Sequence, residues 1–315
     1  MIKLTDIYAA RKRIKKWVRR TPLEYSPKLS EIIKGSVYLK LENQQVTRSF
    51  KIRGAANKIL RLTEAEKARG IIAASSGNHA QGIGYVVKEL GMKAKVVVPK
   101  MTPKVKIDEI RLYGVDLIIE GDEFMESEMK AREIEKEEGM TLVSAYNDVD
   151  IIAGQGTIAL EMIEDVPDLD MILVPVGAGG LAAGIGLVYK QATDSKVIGV
   201  QGETSKVMYE CIKKGYIHDI PIQDTYAEGL HGGIEKNAIT FEICKEVIDD
   251  WAILSEDDIL DAIKFMLHEC HMLVEGAGAV GIAALLSNPT RYFGKKVGVI
   301  ITGGNLGIST LKLVV

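Results

Sequence analysis

Ser49-Phe50-Lys51 sets a lysine beside an aromatic ring at the start of a run whose apolar spacing predicts a helix. A lysine in a helix's first turn opposes the helix dipole, and most lysines are simply solvated. Facing a phosphate site, the same amine could form a Schiff base. Three further turns carry related chemistry. Ser75-Ser76-Gly77-Asn78-His79 joins two hydroxyls, an amide and an imidazole to the free N–H groups of a helix start, which suits a carboxylate. Serine and asparagine are also ordinary helix caps. Gly177-Ala178-Gly179-Gly180-Leu181 could bring backbone N–H groups against a phosphate. With Ala182 it also satisfies G-x-G-x-x-A, a dinucleotide pattern that wants an acid closing the next strand. That strand ends at neutral Gln201, with Glu203 just beyond. Thr302-Gly303-Gly304-Asn305 puts a hydroxyl at a strand end, where it could meet a ring nitrogen or merely turn the chain.

Two runs imitate function. His268-Glu-Cys-His271 spaces its histidines by three, not as H-E-x-x-H, and lies in an amphipathic helix, which favours packing over zinc. Arg11 to Arg20 is rich in basic residues and reads as a solvated helix face.

The turns need strands and helices to hold them. The pattern predicts strands over Val37–Glu42, Ile71–Ala74, Ala94–Pro99, Val115–Glu120, Leu142–Ala145, Met171–Val176, Val197–Gln201 and Val297–Thr302. Helices are expected over Thr5–Val18, Lys51–Leu62, from the Ser75 turn to Leu90, and over Lys104–Tyr113, Glu123–Glu138 and Ala153–Ile163. Ser255 with Asp258 marks one more helix start, with an acidic first turn. This alternation is that of an α/β fold with parallel sheet flanked by helices. Residues 171–189 carry no charge, but Pro175 and the glycines divide them into strand, loop and helix rather than a membrane span.

Composition sets the limits. At 315 residues two domains are expected, with no linker to separate them. Hydrophobic residues make up 47%, which excludes a disordered chain. The 40 basic and 43 acidic residues leave a charge of −3, which gives no reason to expect nucleic acid or an anionic membrane as partner. Three scattered cysteines and a charged N-terminus, with no secretory pattern, point to the cytoplasm. The 31 glycines follow no Gly-X-Y period, so collagen is excluded and the excess needs another cause.

Taken in order, SFKIRGA (49–55), SSGNHAQG (75–82), GAGGL (177–181) and TGGN (302–305) resemble the fold type II pyridoxal-phosphate enzymes. The likeness is to their threonine ammonia-lyase (threonine dehydratase) and serine racemase branch. Thr21-Pro22-Leu23, AGQGT (153–157) and EGAGA (275–279) extend it over nearly the whole chain. The resemblance implies two open, twisted, mostly parallel sheets, with a smaller domain (47–143) inserted between two parts of a larger one (1–46 and 144–315). It implies Lys51 as the Schiff-base lysine and Phe50 beside the cofactor ring. Asn78 would meet the pyridoxal 3′-oxygen, Gly177, Ala178, Gly179, Gly180 and Leu181 the phosphate, and Thr302 the pyridine nitrogen. Ser75, Ser76, Asn78 and His79 would gather the substrate carboxylate through side chain and backbone. Ser76 stands where racemases keep an acid/base on the face opposite the lysine.

The activity implied first is β-elimination of water from L-threonine or L-serine, giving a 2-oxo acid and ammonia. A racemase with lyase side activity comes second, and a nucleotide-binding protein is a distant third. Family members are commonly dimers or tetramers. Three departures from the family bear on this. Ala178 replaces a frequent glycine, tolerable if its φ stays negative. Gln201 and Val207 stand where racemases hold a divalent cation with Glu and Asp, so no metal is expected. The chain stops at Val315, without the regulatory domain of isoleucine-inhibited enzymes, so feedback by isoleucine is not expected.

Overall fold

The computed structural model describes residues 2–122 and 124–315. The chain begins with α1 (Leu4–Ile14), β1 (Leu23–Tyr25), α2 (Pro27–Ile32) and β2 (Ser36–Leu41). It continues through α3 (Lys51–Leu60), α4 (Glu64–Arg69), β3 (Ile71–Ala74), α5 (Asn78–Leu90), β4 (Ala94–Val98), α6 (Lys104–Arg111), β5 (Asp116–Ile119), α7 (Phe124–Glu138) and β6 (Thr141–Leu142). The remainder holds α8 (Val149–Asp165), β7 (Met171–Pro175), α9 (Gly180–Ala192), β8 (Lys196–Gly202), α10 (Val207–Lys214), α11 (Ile239–Val247), β9 (Asp250–Leu254), α12 (Glu256–His268), α13 (Gly276–Ser287), β10 (Lys296–Ile301) and α14 (Ile308–Val314).

The strands form two sheets, in the orders β1-β2-β10-β7-β8-β9 and β5-β4-β3-β6. Every pairing is parallel except β1 with β2. The smaller sheet comes wholly from residues between the strands of the larger one, so the chain leaves one sheet, builds the other and returns. Strands such as β3 and β7 are apolar along almost their whole length and buried, as parallel sheets covered on both faces require.

Differences from expectation lie at short elements and ends. α1 stops at Ile14 rather than Val18. α4 was not expected, although a reciprocal Thr63–Glu66 capping box starts it. α8 begins four residues before Ala153, because Asp148 caps it by accepting from the N–H groups of Asp150 and Ile151. β6 pairs with β3 only through Thr141 and Leu142, not through Ala145. α7 opens at Phe124; Glu123, where the helix was expected to begin, lies outside the described residues.

Glycines set one crossing that matters for the site. A Cβ on Gly154 of α8 would lie 2.6 Å from the Arg53 carbonyl oxygen and from Gly54 Cα of α3. The bare backbones therefore touch, and the first turn of α3 sits directly on α8.

Candidate active site

Lys51 opens α3, and its Nζ donates to the Ala145 carbonyl at 3.2 Å and lies 5.3 Å from the centroid of the Phe50 ring. That carbonyl comes from the stretch just past β6, where the chain has left the sheet. Burial pushes the amine down from 10.5 to about 8, against the opposing pull of Glu275. The neutral, nucleophilic form is thus far more populated near neutral pH than for a solvated lysine.

Asn78 heads α5. Its Nδ2 donates to Glu275 Oε1 at 2.8 Å, and its Oδ1 accepts from Asn305 Nδ2 at 2.6 Å. Asn305 also reaches the Thr47 carbonyl at 3.2 Å, so the TGGN turn is tied both to the helix start and to the approach to Lys51. One Nδ2 proton of Asn78 remains uncommitted by these bonds. Ser75 Oγ accepts from the Gly77 N–H at 3.3 Å and shapes the turn, while Ser76 is partly exposed within it.

His79 departs from expectation. Its ring turns into the protein, with Nε2 3.0 Å from the Val143 carbonyl, and burial together with the Lys51 charge pushes it down to about 3. A carbonyl can only accept, so Nε2 carries the proton and Nδ1 is a bare acceptor without a partner. A bare acceptor cannot hold a carboxylate, so of His79 only the backbone N–H is suited to one.

The glycine loop follows β7. Gly179 caps α9 with φ +91°, a left-handed conformation that favours glycine, and an added Cβ there would lie 2.7 Å from Met208 Cε. Ala178 is not among the residues with positive φ, so its methyl is tolerated. The Thr240 hydroxyl donates to the Ala178 carbonyl at 2.7 Å and fixes the loop, and the N–H groups of the first turn of α9 have no partner within the helix. A Cβ on Gly180 would lie 3.0 Å from Tyr146 Cα, one residue past the carbonyl that holds Lys51.

Thr302 follows β10. Its carbonyl accepts from the Phe50 N–H at 3.1 Å, while its Oγ1 is buried with no partner. An orphaned buried hydroxyl costs stability unless a ligand satisfies it. The Thr302 turn is thus bonded to Phe50, next to Lys51, and the glycine-cleared start of α9 packs on Tyr146, next to the carbonyl that holds Lys51. An unpaired hydroxyl, a helix start and a desolvated lysine suit the ring nitrogen, phosphate and aldehyde of pyridoxal phosphate.

Sequence reasoning gave Glu275 no role. It precedes the charge-free α13, and burial pushes its carboxyl up to about 7 against hydrogen bonds from Asn78 and the Asn305 backbone. An acid immediately before a helix of small apolar residues was the available signal. Gly278 packs on the Gly303 backbone, and the turn Glu228–Leu230 lies between Gly177 and α13.

The imitators have other partners. His268 Nε2 meets the Val314 carbonyl at 2.7 Å. Buried Gln201 accepts from the Tyr209 N–H at 2.9 Å and donates to the Ser205 carbonyl at 3.4 Å, cross-linking its own loop. Among the described residues, no group of three or more His, Cys, Asp or Glu side chains could hold a metal ion, and no helix is long and apolar enough to cross a membrane.

Known proteins resemble the chain over nearly its whole length. The family described as pyridoxal-phosphate dependent enzyme matches residues 14–303. The L-threonine ammonia-lyase of Thermotoga maritima is 42% identical over 317 aligned positions, covering 100% of this chain and 78% of that protein. Maize serine racemase superposes with a TM-score of 0.93 at 30% identity, covering 99% of this chain and 96% of that one. The processed threonine deaminase isoform 2 of Solanum lycopersicum gives 0.92 at 34% identity, covering 99% and 91%.

Proposed function

The chain belongs to the pyridoxal-phosphate-dependent enzymes, and we propose that it is a threonine and serine ammonia-lyase, removing water from L-threonine or L-serine to leave a 2-oxo acid and ammonia. The observation that carries the substrate class is the full-length 42% identity to an L-threonine ammonia-lyase. Pyridoxal phosphate supplies the electron sink that lets the substrate Cα–H bond break.

The chain's own residues do the rest. In this reading Lys51 holds the cofactor, and its released amine takes the Cα proton, a task for which its lowered pKa of about 8 suits it. The N–H groups from Gly177 to Leu181 hold the phosphate at the start of α9, with Phe50 beside the ring and Asn78 at the 3′-oxygen. Ser75, Ser76, Asn78 and the His79 N–H orient the substrate carboxylate at the start of α5. Thr302, a neutral hydroxyl, satisfies the ring nitrogen without forcing a proton onto it. With the cofactor bound, that neutral contact would favour departure of the β-hydroxyl.

Ser76 and the likeness to maize serine racemase support a second reading, racemisation of serine or another amino acid. Residues 47–143 serve as the smaller domain in either case, and the enzyme is taken as a cytoplasmic homo-oligomer, dimer or tetramer. Incubation of the holoenzyme with L-threonine and L-serine, scoring 2-oxo acid against D-isomer, tests the assignment. Predominant 2-oxo acid is expected; predominant D-serine overturns it in favour of the racemase.

A further inference from the structure

A cavity of about 410 Å³ lies between α1, the segment after it and α8, and neither Lys51 nor the glycine loop lines it. That volume falls within the range of small-molecule sites. Much of the basic run read above as a solvated face stands here. Arg11, Lys12, Lys15 and Arg20 line the cavity, whereas Arg13 and Arg19 turn away to Asn57 and to the Gln44 carbonyl. Tyr8, Arg11, Lys12 and Lys15 recur at the spacing of a single helix face.

The acids in the lining are already engaged. Glu161 serves both Arg53 and Lys40, and Glu164 serves both Arg11 and Arg20. Lys12 and Lys15 are exposed and have no ion pair among the described residues. Beside them, Ile14, Val18 and the Tyr8 ring supply the apolar part of the lining. Arg53 and Thr157, both fully buried, lie beneath the cavity, and the exposed Tyr8, Lys12, Lys15 and Arg20 form its outer lining.

We propose that this cavity is a binding site for a small organic anion, a phosphate or carboxylate carrying an apolar group. The two free ammonium groups take the charge, and the Tyr8–Ile14–Val18 wall takes the apolar part. This inference is independent of which reaction the Lys51 cleft performs.

Calorimetric titration of the holoenzyme at low ionic strength, with inorganic phosphate and with phenyl phosphate, tests it. Saturable binding of both is expected, with phenyl phosphate at least about threefold tighter because its ring meets the apolar wall. The double variant Lys12→Ala/Lys15→Ala weakens both by roughly tenfold or more, while turnover of saturating L-threonine is unchanged. Absence of saturable binding overturns the proposal. So does equal binding by wild type and the double variant, which places the anion elsewhere. Equal affinity for the two probes also overturns it, since that is a surface counter-ion only. If the double substitution dissociates a wild-type oligomer, the face is a contact between copies and the proposal fails.

Discussion

Lys51 and Arg53 stand two residues apart on the first turn of α3, on opposite sides of it, and their surroundings could hardly differ more. Arg53 is fully buried, yet its hydrogen bonds reach Glu42 at 2.8 Å, Glu161 at 2.7 and 3.0 Å and Thr157 at 3.2 Å. Lys40 completes the network on Glu161 at 2.6 Å and on the Thr21 carbonyl at 2.7 Å. Two cations thus face two carboxylates. Burial opposes the Arg53 charge, but Glu42 and Glu161 outweigh it and hold the guanidinium more firmly protonated. On the Lys51 side, burial wins over the single acid Glu275, and the amine falls to about 8. Thr302 Oγ1 and His79 Nδ1 there have no partner among the described residues. A saturated buried network fixes a helix in place, whereas an unsaturated one waits for a ligand. Arg53 and the glycine crossing hold the turn; Lys51 uses it.

Four substitutions sharpen or break this contrast. Lys51→Ala removes the reacting group from the unsaturated side. Activity is expected to fall by at least about 10³-fold while the melting temperature of the cofactor-free protein barely moves. Comparable loss of both would make the two sides alike. Arg53→Met leaves buried Glu42 without a cation and Glu161 with Lys40 alone, and should cost about 3–5 kcal/mol in denaturant unfolding of the cofactor-free protein. An effect as small as that of a surface ion pair would mean the network does not anchor α3.

Thr302→Val deletes a hydroxyl that no protein group satisfies. It should stabilise the cofactor-free protein by about 1 kcal/mol yet weaken cofactor binding about tenfold, measured by equilibrium dialysis. Destabilisation of the cofactor-free protein would show that the hydroxyl already has a partner. The smallest effect concerns charge. The Glu275 carboxylate raises the Lys51 pKa, so Glu275→Gln should move the midpoint of Lys51 acylation in the cofactor-free protein below about 8. The difference between variant and wild type should fade below pH 7, where Glu275 takes up its own proton. An upward shift would contradict the assigned sign.

Sequence reading located the four turns because each is a local device: a strand end, a helix start and glycines that admit close approach. Their convergence was legible only through their order along the chain. What it missed works across distance or through backbone. The Ala145 carbonyl offers no side-chain signal, and it is free only because β6 stops at Leu142. Glu275 acts on Asn78 from the opposite end of the sequence. Arg53 reads as one more polar helix residue until Glu42 and Glu161 arrive from β2's end and from α8. Nothing in the neighbours of His79 signals that its ring turns to the Val143 carbonyl and leaves only the backbone N–H beside the turn. α4 was overlooked although its capping box is local, since six residues carry too little periodicity to stand out.

The central claim is that the unsaturated side of α3 is where the cofactor and the chemistry reside. Borohydride reduction of the holoenzyme followed by peptide mapping tests it most directly. Pyridoxal phosphate recovered on Lys51 alone is the predicted result; an unmodified Lys51 with the label on another lysine would contradict the account.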